Sequence, residues 1–139
     1  MNALAAGQSY AIAVRFDKAL KLIRSALTQW ELGIAGEFDS TAVSNGDPEE
    51  EAERSRILLV DCPLLVFEAL ALDRASGVFF PLHVLVDADG DQTKVSMVNP
   101  TELFDVRLPL GAADPMERLQ GRVALALESV RQRSGANNN

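Results

Sequence analysis

Apolar and polar residues alternate from Tyr10 to Phe16, which predicts a strand with Ile12, Val14 and Phe16 on one face. The period then changes. Leu20, Ile23, Leu27 and Trp30 recur at three- and four-residue spacing, predicting a helix capped at Asp17 and ending near Gly33. Ile34 to Val43 predicts a second strand in which Gly36 marks a bulge or a close backbone approach. Ser44-Asn45-Gly46-Asp47-Pro48 ends it.

Arg56 to Val60 is a continuous apolar run of β character. It stops where Asp61 or Cys62 can cap a short helix whose first residue is Pro63, with Leu65, Ala69, Leu70 and Leu72 toward the sheet. Val78 to Val86 and Thr93 to Val98 then form two strands joined through Asp89-Gly90, a pair favoured in tight antiparallel hairpins. Past Asn99-Pro100 the chain lacks periodicity as far as Ala113. Asp114-Pro115-Met116-Glu117 predicts the start of a last helix, whose buried stripe is Leu119, Val123, Leu127 and Val130.

The order β-α-β-β-α-β-β-α, rich in hairpins, predicts an α+β two-layer sandwich: a mainly antiparallel five-stranded sheet with helices on one face. The other face is then open. Phe79, Pro81 and Leu85 alternate against Phe80, Leu82, Val84 and Val86, so the open face carries apolar residues and is expected to serve as a dimer interface or ligand platform.

With 139 residues the chain is expected to be one domain, its core spanning about residues 8 to 134. At 47% hydrophobic and 24% charged residues it has an ordinary globular composition. No apolar run approaches the ~20 residues of a membrane span, and the N-terminus is too short for a signal peptide, so a soluble cytoplasmic protein is expected. The net charge is −7, and the loop from Asp47 to Arg54 carries −4 of it, five carboxylates against one arginine. Without a Lys/Arg cluster there is nothing to displace counterions from phosphates, which argues against nucleic acid as a partner.

Cys62 is the single cysteine and His83 the single histidine. An internal disulfide is excluded, and no metal or cofactor is expected. At a helix start, unpaired amides would favour an anionic Cys62 sulfur, but free cysteine more often packs than reacts. Cys62 with His83 as base, oriented by Asp39 or Asp61, is the one nucleophilic constellation the sequence offers. Alternation predicts that His83 points away from the helix-covered core, against such a pair. Asp87, Asp89 and Asp91 imitate the opening of a calcium loop, yet Gln92 replaces its glycine and Val98 its bidentate glutamate, so a solvated hairpin is expected.

Phe38-Asp39, Cys62-Pro63, Ala69-Leu70, Phe80-Pro81-Leu82 and Asn99-Pro100 together resemble the punctuation of the domain-of-unknown-function-302 family, over nearly the whole chain. Relative to that pattern, the Asn between Cys and Pro is missing, Leu82 replaces a second cysteine, and Asn99 stands where Asp is usual. The resemblance implies a fold similar to the TATA-binding-protein superfold and a homodimer, and it brings no activity with it. The expected function is therefore a homodimeric domain that binds a small-molecule or anionic ligand or a protein partner. The expected site is a crevice lined by Asp39, Cys62, Pro63, Phe80, Pro81 and Asn99, near a helix start where anions are readily held. The alternative is a thiol-dependent enzyme or redox sensor using Cys62 with His83.

Overall fold

The computed structural model describes residues 7–40, 54–98 and 110–136. In chain order the elements are β1 (Gly7–Ile12), α1 (Phe16–Gln29), β2 (Gly33–Asp39), β3 (Ser55–Asp61), α2 (Pro63–Leu72), β4 (Leu82–Asp89), β5 (Gln92–Val98) and α3 (Leu110–Ala136). A 3-10 helix over Arg74–Phe79 links α2 to β4. The five strands form one sheet in the order β1-β5-β4-β3-β2, and every neighbouring pair is antiparallel.

Local chemistry explains the turns. In the β4–β5 hairpin Asp89 pairs with Gln92, leaving Gly90 and Asp91 as the two central residues. Gly90 has a φ of 62° while Asp91 is not in the positive region, the pattern of a turn with glycine at its first central position. In β2 the register shifts between Ile34 and Gly36, so the glycine does mark a bulge. Glu31, with a φ of 60°, takes the left-handed position that glycine usually fills after a helix. Its neighbours complete the stop, as the Leu32 amide donates to the Leu27 carbonyl at 2.9 Å.

Several boundaries differ from the expectation. The first strand ends at Ile12, and Phe16 opens α1 instead of closing the strand. Phe16 is buried with Ile12 all the same, which is why the alternating pattern extended too far. Arg15, not Asp17, is the N-cap residue; Asp17 lies in the first turn and forms an ion pair with Arg54. Val78 and Phe79 belong to the 3-10 helix, and β4 begins only after Pro81, whose nitrogen has no hydrogen for a sheet ladder. The last helix begins at Leu110, a turn before Asp114, and carries Pro115 inside it. The expected end of the second strand at Val43 and the acidic loop lie outside the described residues.

One core joins the layers. Leu58, Val60, Leu82, Val84, Val86, Val95 and Met97 point to the same side of the sheet and pack with Ile23 and Leu27 of α1, Leu65 of α2 and Leu119, Val123 and Leu127 of α3. Among the described residues α1 and α3 cover this face, and α2 adds Leu65 to the same core from beyond the end of the sheet. On the other face Ile57, Leu59 and Leu85 are half-buried, and Phe38 and His83 are exposed. The buried Thr93 hydroxyl donates to the Val14 carbonyl at 2.9 Å, and the Ala13 amide donates to Ser134 Oγ at 3.0 Å, so the C-terminal turn of α3 is fastened beside the end of β1.

That fastening decides where α2 goes. With 27 residues α3 is about 40 Å long, against roughly 20–27 Å for a strand of six to eight residues. Its first half therefore overruns the sheet at the end where β3 finishes, and α2 packs along that half in the opposite direction. Arg118 binds Glu68 at 2.7 Å, and Arg122, one turn later, reaches Cys62 at the start of α2.

Candidate functional site

Antiparallel register brings four of the expected site residues to one end of the sheet. Val60 pairs with Leu82, so Asp61-Cys62-Pro63, leaving β3, run beside Phe80-Pro81, entering β4. Gly33, opening β2, pairs with Asp61 at the same end. A side chain at Gly33 would stand 3.0 Å from Asp61 Oδ1, so glycine gives that carboxylate its room. Burial pushes the Asp61 carboxyl above its ordinary value.

Cys62 is the N-cap residue of α2, in extended conformation, and Pro63 supplies a preset φ at the first helical position. The Cys62 side chain makes no capping hydrogen bond. The Val66 amide donates to the Cys62 carbonyl at 3.1 Å, beginning the helical ladder and leaving the amides of Leu64 and Leu65 outside it. The Cys62 side chain is only 4% exposed and belongs to the core, but Arg122 Nη1 approaches its sulfur to 3.8 Å. Pro63 and Leu64 are exposed, as is Leu125, one turn past Arg122 on α3. The end of the sheet thus combines a helix N-terminus, a guanidinium, a partly desolvated carboxyl and apolar walls.

Asp39 is not part of this group. It pairs with Arg56 at the far end of β2, roughly 20 Å along the strand from the Gly33–Asp61 pair. It shares its surroundings with Glu37, which Arg24 of α1 grips through two hydrogen bonds of 3.0 and 2.6 Å. Asn99 lies outside the described residues, although Val98, which precedes it, ends β5 at the Cys62 end of the sheet. His83 pairs with Leu59 and is exposed on the open face, whereas Cys62 is buried on the helix side. The sheet separates the thiol from the imidazole. Of the calcium-like trio, Asp87 accepts a hydrogen bond from Ser55 Oγ at 2.5 Å, which gives it a structural partner.

Arg122 escaped sequence reasoning. It stands sixty residues from Cys62, and only the packing of α2 on α3 joins them. The sole hint was the four-residue spacing of Arg118 and Arg122, which puts both on one stripe of a helix.

Fold and site together define a two-layer α+β domain with an all-antiparallel sheet, one face of which the described helices leave uncovered. The family model described as Domain of unknown function DUF302 matches residues 8–129, and the chain belongs to that family. Its fold is similar to the crystal structure of an uncharacterized conserved protein DUF302 from Bacillus stearothermophilus, with a TM-score of 0.75 and 19% identity over 91% of this chain and 98% of that one. No curated protein matches the chain. No helix among the described residues is long and apolar enough to cross a membrane.

Proposed function

We propose that this domain is a cytoplasmic homodimeric binding module, taking a small anionic ligand in the crevice where α2 begins. The observation that carries this reading is the uncapped start of α2 beside Arg122, because backbone amides and a guanidinium together offer what an oxyanion needs. Phe80 and Pro81 would supply apolar cover for the rest of the ligand. A lone cysteine with no possible disulfide partner suits a reducing compartment.

A thiol-dependent enzyme or redox sensor based on Cys62 is the competing reading, and the Arg122 contact is the observation in its favour. It lacks a base, since His83 faces the other way. Titrating isotopically labelled protein with inorganic phosphate, followed by amide NMR, separates the possibilities. The binding reading predicts saturable shifts at the Leu64 and Leu65 amides that vanish in Arg122→Ala. Unchanged resonances there, with phosphate in large excess, would refute it.

A further inference from the structure

The outer side of α2 is apolar where a helix facing water should be polar. Leu64, Phe67 and Ala71 form one exposed stripe at three- and four-residue spacing, with Leu64 64% and Phe67 73% exposed. Leu70 extends it toward the 3-10 helix, where a side chain at Gly77 would come within 3.0 Å of Leu70 Cδ2. Val78, 80% exposed, follows directly, and Leu72 is 73% exposed at the helix end. The inward side needs only Leu65 and Ala69, so none of this apolar surface serves the core.

We infer that this stripe is the homodimer interface, with α2 and the 3-10 helix of one copy packed on those of a second copy across a two-fold axis. The inference rests on the homodimer reading and names its surface. The stripe exposes on the order of 500 Å² of apolar side chain, at the upper end for a monomer, and forms a ready centre for an interface taking about 800 Å² from each partner.

A two-fold contact sets each surface against itself, so a strongly one-signed rim would repel its copy. The rim here is mixed: Arg118 is paired with Glu68 and Asp114, and Arg74 lies beside Asp73. Ala71, a small residue at the C-terminal end of the stripe, allows two helices to approach closely there. The open face of the sheet is the rival surface and is less suited. Of its apolar residues Ile57, Leu59 and Leu85 are already half-buried and Phe38 is exposed, and they are interspersed with Ser9, Asp87, Lys94, Ser96 and His83.

Size-exclusion chromatography with light scattering on the full chain tests the inference. The wild type is expected at twice the 15.0 kDa chain mass. Phe67→Lys and Val78→Lys, both at exposed positions, are each expected at the single-chain mass with an unchanged circular dichroism spectrum, while Phe38→Lys on the open sheet face remains dimeric. A dimer that survives both α2-side changes, or dissociates in Phe38→Lys instead, overturns the inference and leaves the homodimer reading standing. A wild type of single-chain mass removes both.

Discussion

Arg122 of α3 stands with its guanidinium 3.8 Å from the sulfur of Cys62, the residue that starts α2. The contact joins the two helices that overrun the sheet and closes the thiol beneath a charged side chain. At 4% exposure the sulfur meets solvent reagents chiefly when the helix start opens. Native protein is expected to react with iodoacetamide about 100-fold more slowly than urea-unfolded chain at the same pH. Arg122→Ala should raise the native rate several-fold. Native alkylation as fast as that of the unfolded chain would contradict this packing and favour a reactive thiol.

Arg24 holds Glu37 through both carboxylate oxygens, and Arg56 adds a third contact at 3.5 Å. The hydrogen bond from Arg24 is the main reason the Glu37 carboxyl sits below its ordinary value. A depressed folded value means that the stabilisation is complete above the unfolded value near 4.5 and is lost as pH falls through the folded value. The pair is largely exposed, so solvent limits its worth to about 0.5–1 kcal/mol. Urea melts of Glu37→Gln should show that loss at pH 7 and converge with the wild type as the pH falls below the folded value.

Two backbone positions predict opposite signs. Gly90 has a φ of 62° and open space around it, so Gly90→Ala adds only backbone strain and should cost about 1–2 kcal/mol. Glu31 is a non-glycine residue at a φ of 60°, and Glu31→Gly should stabilise by about 0.5–1 kcal/mol. Chemical denaturation measures both. Equal and negligible changes would mean that the two turns are not held in the left-handed region.

Much of the fold was legible because short-range chemistry dictates it. Asp89-Gly90 between alternating runs specified the β4–β5 hairpin, and the stripe from Leu119 to Val130 specified the buried side of α3. The α2 sequence was harder, since a helix apolar on every side carries no period to show which side is covered. Leu70 and Leu72 were expected toward the sheet and instead stand 38% and 73% exposed. The Val78-Phe79-Phe80 run has strand-like residues, yet Leu70 packing onto Gly77 and the missing amide hydrogen of Pro81 keep it out of the sheet.

The candidate site was half legible. Cys62-Pro63 and Phe80-Pro81 meet as expected because β3 and β4 are adjacent and antiparallel. Asp39 stands at the opposite end of the sheet from them for a reason the sequence contains: antiparallel pairing of β2 with β3 sends the end of one strand to the beginning of the other. The Arg122 contact had no such signature, because it depends on how far α3 extends beyond the sheet.

Native mass spectrometry of the purified protein tests the proposed binding site at the start of α2 most directly. A small acidic molecule retained by the wild type, and absent from folded Arg122→Ala, is the predicted result. A wild type that carries no adduct, or an adduct that Arg122→Ala holds equally well, would contradict it.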